Sequence, residues 1–234
     1  MKKRDFIKTL SLAAFATPLY GSVLHSSLEE VVSTTATDLA SNEDFWLKVR
    51  SDYKLKPDYI NLESGYYNII PTPTLEALHK HINMVNYEGS YYMRTKRVND
   101  KKRMAAKLAA IIKSPTKNVV ITRNTTESLD LVIKGMNWKS GDEAVFAIQD
   151  YGAMRMMFEQ VANRFGVVNK IVSVPNHPKS DEEIVELYAN AITPKTKLLM
   201  VCHMINISGH ILPIKKICQM AHSKGVKVMV DGAH

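Results

Sequence analysis

The sequence predicts an α/β fold in which a mainly parallel sheet is covered by helices on both faces. Two observations predict it: short apolar runs alternate with segments of helical periodicity, and those runs are apolar along nearly their whole length. Parallel strands are buried on both faces and need helical connections between them. The composition agrees, because 45% hydrophobic and 23% charged residues among 234 are ordinary globular values that exclude a disordered or collagen-like chain.

Residues 1–37 are interpreted as an export signal followed by a tether. Residues 1–8 are basic, and residues 9–20 form an apolar stretch with a small-residue cleavage site, which is typical of a signal peptide. The hexapeptide KRDFIK, which begins at Lys3, resembles a twin-arginine signal with lysine in its first position. We therefore expect an exported, periplasmic protein whose folded part spans residues 38–234. An ordinary secretion signal or an uncleaved helix is the alternative.

Two amphipathic helices are predicted in the first half of the folded part. Thr72 and Pro73 form a helix start, with apolar residues following at helical spacing. A second helix is predicted over about residues 99–113, with an apolar stripe opposite a basic face. Pro115 ends this helix before a predicted strand.

The net charge of +8 is concentrated in two short segments. Residues 94–107 carry a net charge of +6 and residues 1–8 a net charge of +3. A nucleic-acid-binding protein would spread its cations over a whole face, so no nucleic-acid partner is expected. A non-catalytic interaction module, in which the basic helix 94–107 binds an acidic partner or an anionic membrane surface, is kept as an alternative function. After the N-terminal stretch no apolar run reaches the roughly 18 residues of a membrane span, so no stable span is expected.

The second half predicts repeating units of strand and helix. Strands are expected at residues 119–122, 144–148, 167–174, 197–203 and 226–230. Asn124 followed by Glu127, and Ser180 followed by Glu183, have the spacing of capping boxes that begin helices. Gly166 ends the helix before the third predicted strand.

Three polar or aromatic clusters follow predicted strands, where ligands of open α/β sheets bind. Thr125 and Thr126 open a helix whose free N–H groups favour a phosphate, unless they belong to a plain N-cap. Tyr151 follows the second strand and could stack on a flat ring or pack on the rim of the fold. Asp231 ends the last strand, where a buried carboxylate needs a cationic or hydrogen-bonded partner, unless it caps a following helix.

Together the three clusters fit a site for pyridoxal phosphate, which needs a phosphate site, a ring platform and an anion facing its ring nitrogen. The glycine-rich motifs of dinucleotide and nucleotide triphosphate sites do not occur after any predicted strand. The spacings of the cysteines and histidines match no common metal site, so no metal ligands are expected.

Three stretches carry a resemblance to a known family. They are TRNTTESLDLVIKG from Thr122, GDEAVFAIQDYGAM from Gly141, and the run from Thr196 to His234. Over roughly residues 61–234 the chain resembles the class V aminotransferases, which are fold-type I pyridoxal phosphate enzymes. Its Asp-Tyr-Gly-Ala motif is more similar to the isopenicillin N epimerase-like branch than to the cysteine desulfurase branch, which usually carries paired histidines there.

The resemblance implies roles for the matched residues of the cofactor site. Thr125 and Thr126 would bind the cofactor phosphate, and Tyr151 would stack on the pyridine ring. Asp231 would pair with the ring nitrogen and keep it protonated.

Further matches concern the substrate side of the cofactor. Asn206 would lie beside cofactor and substrate, and His234 would lie near the phenolic oxygen. Ser64, Gly65 and Tyr66 belong to a strip that would edge the substrate pocket.

The resemblance also implies parts that this chain is not expected to contain. The Schiff-base lysine is expected beyond His234, as are the arginine for the substrate carboxylate and a C-terminal small domain. We therefore expect the chain to be the N-terminal part of a homodimeric enzyme that acts on an amino acid or amine, and to be inactive alone. A cysteine desulfurase or lyase of the same family is the alternative activity.

Overall fold

The computed structural model describes residues 36–234, with side chains from residue 38 onward. The predicted export signal lies outside the described residues. The chain divides into two compact units, one ending at Ile121 and the other comprising Thr122–His234. No helix among the described residues is both long and apolar enough to cross a membrane.

The first unit is helical. Its helices are α1 (Ala36–Ser41), α2 (Glu43–Ser51), α3 (Thr72–Glu88), α4 (Ser90–Thr95) and α5 (Arg97–Ile111), followed by a 3-10 turn at Thr116–Asn118. The predicted start of α3 is wrong by one residue, because Pro71 occupies the N-cap position and Thr72 is already helical. The apolar stripes of α3 and α5 remain largely exposed, as Leu78 shows with 48% exposure. An amphipathic face is buried only where another apolar surface packs on it.

The strand predicted at residues 119–122 does not form. Val119 is extended, with φ −106° and ψ 121°. Neither it nor its neighbours pair with a strand in the part of the chain that the structure describes. An extended segment becomes a strand only when an adjacent segment supplies hydrogen bonds.

The second unit is an α/β unit built on four parallel strands. Its elements are α6 (Thr125–Gly135), β1 (Glu143–Ala147), α7 (Gly152–Phe165), β2 (Val168–Val172), α8 (Asp181–Ala191), β3 (Thr196–Cys202), α9 (Ile214–Ser223) and β4 (Lys227–Asp231). The strand order is β2-β1-β3-β4, and every pairing is parallel. The predicted fold class is therefore confirmed.

Two apolar clusters cover the two faces of this sheet. Alternate residues along β1 and β3 point to opposite faces, so each strand contributes to both clusters. One cluster joins the sheet to α8 and α9 and includes Val145, Leu199, Val201, Ile184, Tyr188 and Ile217. The other joins the sheet to α6 and α7 and includes Phe146, Leu198, Met200, Leu129, Ile133 and Phe158.

The helix starts follow local side-chain chemistry. The Asn124 carboxamide oxygen accepts a hydrogen bond from the Glu127 N–H at 2.8 Å, and the Glu127 carboxylate accepts one from the Arg123 N–H at 2.7 Å. The Ser180 hydroxyl oxygen accepts from the Glu183 N–H at 3.3 Å. Both predicted caps are therefore confirmed, because each satisfies an N–H group that the helix leaves without a backbone acceptor.

The connections create a topological switch point between β1 and β3. It lies where the strands end, which is here called the carboxyl edge of the sheet; the opposite end, where the strands begin, is the amino edge. From β1 the chain passes through α7 to β2 on one side, and then returns through α8 to β3 on the other side. The helices that follow β1 and β3 thus lie on opposite faces. Ligands of open α/β sheets bind at such a switch point.

Candidate functional site

Asp231 is a buried carboxylate at the end of β4. It is 7% exposed, and its Oδ1 accepts a hydrogen bond from the Ala233 N–H at 3.1 Å. Among the described residues its Oδ2 has no partner, and no cationic nitrogen lies within 4.0 Å of either oxygen. A buried carboxylate is costly unless a cation or a donor compensates its charge. Asp231 is therefore suited to a cationic or hydrogen-bond-donating ligand.

Thr125 and Thr126 are the first two residues of α6. Both are half-buried, and within residues 38–234 neither hydroxyl has a hydrogen-bond partner. The cap of α6 satisfies the Glu127 N–H and leaves the N–H groups of both threonines without an acceptor. Since α6 contacts β4 and leads back to the start of β1, its N-terminus lies toward the carboxyl edge. Free N–H groups and hydroxyls at a helix N-terminus suit a phosphate.

Tyr151 lies directly before α7 and after the turn that leaves β1. Its carbonyl oxygen accepts from the Met154 N–H at 2.9 Å and from the Arg155 N–H at 3.2 Å. The residue is 37% exposed. The structure therefore places an accessible aromatic side chain at the carboxyl edge, where a flat ligand could stack on it.

Asn206 and His234 follow β3 and β4. Asn206 is exposed in a hairpin turn closed by the Met204–Ile211 bridge and by the Gly209 N–H, which donates to the Ile205 carbonyl at 2.8 Å. Gly209 has a φ of +71°, a conformation that side chains with a Cβ rarely adopt. His234 is half-buried, three residues beyond the end of β4. Both side chains are thus at the carboxyl edge.

Ser64, Gly65 and Tyr66 belong to the first unit. They lie in an exposed turn in which the Glu63 carbonyl accepts from the Tyr66 N–H at 2.9 Å. Ser64 lines a cleft of about 950 Å³ within that unit. Their predicted place beside the substrate stays a prediction.

Asp150 is a residue of the candidate site that the sequence analysis did not single out. It is 5% exposed, its Oδ2 accepts from the Ala147 N–H at 2.7 Å, and its Oδ1 accepts from the Cys202 thiol at 2.9 Å. Burial, reinforced by the charge of Asp231, raises the pKa of Asp150 from 3.8 to about 6. Asp150 follows a buried strand as Asp231 does, so the signal that found Asp231 was also present here.

The fold and the site define an α/β protein with its binding groups at the carboxyl edge of a parallel sheet. The family model for the class-V aminotransferases matches residues 69–234, and the chain belongs to this family. The family consists of pyridoxal phosphate-dependent enzymes, so the predicted family and its cofactor are confirmed.

Curated relatives with two different activities are similar to this chain. Isopenicillin N epimerase from Streptomyces clavuligerus is 25% identical over 189 residues, covering 81% of this chain and 48% of the relative. A probable cysteine desulfurase from Synechocystis sp. is 29% identical over 197 residues, covering 78% of this chain and 46% of the relative. The chain thus spans about half the length of the curated relatives it matches.

Solved structures give the same pattern. The cystine C-S lyase C-DES in complex with its product cysteine persulfide matches with a TM-score of 0.64 at 25% identity, over 73% of this chain and 46% of the lyase. The cysteine desulfurase CsdA from Escherichia coli matches with a TM-score of 0.61 at 25% identity, over 79% of this chain and 47% of CsdA. A C-DES mutant carries glycine covalently linked to its PLP cofactor.

The groups at the carboxyl edge fit pyridoxal phosphate. The unpartnered oxygen of Asp231 suits a protonated ring nitrogen, since the two would form a charge-assisted hydrogen bond. The free N–H and hydroxyl groups of Thr125 and Thr126 suit the phosphate. Tyr151 supplies an accessible ring beside them.

Proposed function

We propose that the whole protein is a pyridoxal phosphate-dependent enzyme of the isopenicillin N epimerase-like branch that acts on an amino acid or a related amine. The observation that carries the proposal is Asp231, a buried carboxylate at the carboxyl edge of the sheet that has no cation within 4.0 Å among the described residues. Family membership and the two epimerases among the relatives support it.

Each matched residue has a role in holding the cofactor. Asp231 accepts a hydrogen bond from the ring nitrogen and keeps that nitrogen protonated. Thr125 and Thr126 bind the phosphate, and Tyr151 stacks on the ring. Pyridoxal phosphate, when bound, supplies an electron sink for negative charge at the substrate α-carbon.

Asn206 and His234 act on the substrate side of the cofactor. Their side chains follow β3 and β4, and both can donate a hydrogen bond to an oxygen of cofactor or substrate. Ser64, Gly65 and Tyr66 are proposed to edge the substrate pocket in the whole protein.

The covalent lysine is proposed to come from a later segment of the whole protein. The two lysines nearest Asp231 in sequence are engaged elsewhere: Lys227 is the first residue of β4, and the Lys224 ammonium donates to the Ala189 carbonyl at 3.2 Å. We therefore expect residues 1–234 to bind pyridoxal phosphate noncovalently and to show no turnover.

Cofactor binding to the 234-residue chain tests the site. We expect Asp231→Asn to raise the dissociation constant of pyridoxal phosphate, measured by equilibrium dialysis, by about tenfold or more, because the shape is kept and the charge is lost. Thr126→Ala should weaken binding less. Asp142→Asn is the matched control at the amino edge and should bind like the parent. Equal affinities for Asp231→Asn and Asp142→Asn would contradict the assignment.

A cysteine desulfurase or lyase is the second candidate, because relatives and solved structures with those activities match as well as the epimerases do. The two activities differ in their net result: one breaks the C–S bond of the substrate, and the other inverts the α-carbon by breaking and re-forming its C–H bond. Sulfide released from cysteine by the whole protein, with a thiol present as reductant, would support the second candidate. Inversion at the α-carbon with uptake of solvent deuterium and without sulfide would support the first.

The basic segment 94–107 offers the non-catalytic alternative less support. It is not the single helix that was predicted, because α4 ends at Thr95 and α5 begins at Arg97. Among its cations, Arg103 pairs with Asp100 at 2.7 Å, whereas Lys101 and Lys102 are exposed. Exposed lysines on a helix face are ordinarily solvated. Loss of binding to an acidic partner in Lys101→Gln/Lys102→Gln, together with no response to pyridoxal phosphate, would favour the interaction module.

We also propose that the N-terminal signal exports the protein to the periplasm, where it forms a homodimer. The charged motif around Arg4 supports the first statement. Arg4→Lys should retain the protein in the cytoplasm, as measured by cell fractionation, and unchanged export would contradict a twin-arginine route. Sedimentation of the whole protein tests the dimer.

A further inference from the structure

Asp150 occupies a special place in the second unit. It lies between the end of β1 and the start of α7, immediately before Tyr151. The switch point at the carboxyl edge lies between the ends of β1 and β3, so Asp150 is placed where the connections change faces of the sheet. A buried carboxyl group there has a larger cost than a neutral residue would have.

The two carboxylate oxygens of Asp150 are held from two different strands. Oδ2 accepts from the Ala147 N–H at 2.7 Å, and the Asp150 N–H donates to the Ala147 carbonyl at 3.1 Å, so the side chain fixes the turn that leaves β1. Oδ1 accepts from the Cys202 thiol at 2.9 Å. Cys202 is in turn the register partner of Asp231. A single side chain therefore connects the turn that carries Tyr151 to the pair of strands that carries Asp231.

Charged and titratable groups face Asp150 from four elements. They are Cys202 on β3, Asp231 on β4, Arg155 on α7 and Tyr188 on α8. Burial is the main cause that raises the pKa of Asp150 to about 6; the Asp231 charge adds to it, and the hydrogen bonds and Arg155 oppose it. The Tyr188 hydroxyl is buried and has no hydrogen-bond partner among the described residues.

We propose that Asp150 is a positioning residue of the cofactor site, which holds the turn before Tyr151 against β3 and acts through its charge on Asp231. The effect of Asp150 on the cofactor rests on the proposed function, whereas its effect on Asp231 does not. A negative charge beside Asp231 favours a protonated ring nitrogen, so Asp150 strengthens cofactor binding when it is ionised. The Cys202 thiol stays a donor throughout, because burial raises its pKa.

Carboxyl titration of the 234-residue chain without cofactor tests the coupling. In the parent, Asp150 should titrate near pH 6 by carbon-13 NMR, and Asp231→Asn should lower that pKa because a neighbouring charge is lost. Cys202→Ala should raise the pKa of Asp150, and Cys202→Ser should restore it with a hydroxyl donor. An Asp150 titration that Asp231→Asn does not move would overturn the coupling, whatever the Cys202 variants do.

Cofactor binding at two pH values tests the positioning role. The ratio of dissociation constants for pyridoxal phosphate, Asp150→Asn over parent, should be about 1 near pH 5 and about three to ten near pH 8, where the parent carries the charge. Asp142→Asn matches Asp150→Asn, since the Asp142 side chain also accepts from an N–H three residues earlier, at 2.9 Å from Lys139. Its ratio should stay near 1 at both pH values.

The outcomes separate the inference from the function on which it rests. A ratio for Asp150→Asn that is the same at both pH values would overturn the action of Asp150 through its charge, and a ratio of 1 at both would overturn the positioning role as well. If the parent does not bind pyridoxal phosphate, the proposed binding by this chain fails, and the carboxyl titrations alone decide whether Asp150 acts on Asp231. If Asp150→Asn does not fold, the dissociation constants of Cys202→Ala and Cys202→Ser are compared instead, because these variants remove and restore the hydrogen-bond donor to Asp150.

Discussion

The carboxylates at the amino and carboxyl edges of the sheet differ in whether a cation lies near them. At the amino edge, buried Glu143 accepts from the Thr193 hydroxyl at 2.6 Å and lies 3.8 Å from the Lys170 ammonium. Neighbouring Asp142 lies 3.9 Å from the Lys197 ammonium. These charges are compensated within the chain, as stability requires.

At the carboxyl edge, Asp150 and Asp231 are as buried as Glu143, yet within residues 38–234 no cation lies within 4.0 Å of either. The two carboxylates are also near enough for the charge of Asp231 to raise the pKa of Asp150. A buried charge without a nearby cation lowers stability and is retained where a ligand uses it. The comparison thus separates an edge whose charges are paired within the chain from the edge where we propose that the cofactor binds.

The largest effect that would sharpen this comparison is expected for Glu143→Ala. Removing the carboxylate leaves the Thr193 hydroxyl and the Lys170 ammonium without their partner, which should lower the free energy of unfolding by about 3 to 4 kcal/mol. Urea denaturation measures the loss. A loss below about 1 kcal/mol would show that the amino edge does not depend on this pairing.

The Asp150 carboxylate, unlike that of Glu143, is expected to lower the stability of the folded chain when it is ionised. Its pKa rises from 3.8 to about 6 on folding, so the folded chain binds more protons between these values and becomes less stable as the pH rises through about 6. Relative to Asp150→Asn, the parent should lose about 2 to 3 kcal/mol of unfolding free energy between about pH 4 and pH 7. Denaturation curves at both pH values measure it, and a constant difference between the two proteins would contradict the prediction.

A smaller effect is expected for Gly166→Ala in the turn that enters β2 at the amino edge. Gly166 has a φ of +70°, and a Cβ there would lie 2.7 Å from the Ser140 hydroxyl oxygen. We expect a loss of about 1 to 2 kcal/mol in unfolding free energy, with no change in the affinity for pyridoxal phosphate. Weaker cofactor binding in this variant would show that a change at the amino edge also affects the carboxyl edge.

Local patterns predicted most of the second unit, and long-range contacts explain the rest. The capping at Asn124 and the continuous apolar run before Asp231 act over a few residues, so the sequence shows them directly. The strand predicted at residues 119–122 was wrong because a strand depends on a partner that a local pattern does not reveal. The proposed role of Asp150 depends on its contact with Cys202, 52 residues away, which only the folded sheet brings about.

Because Cys202 is buried, the rate of its alkylation reports local unfolding of the carboxyl edge. The chain has two cysteines, and burial raises the pKa of both, but Cys202 is buried beside the Asp150 charge whereas Cys218 is half-buried on α9. Since only an exposed thiolate is alkylated at an appreciable rate, modification of Cys202 has to wait for local unfolding of the edge. The ratio of the two alkylation rates, followed by mass spectrometry, therefore measures how often this edge opens.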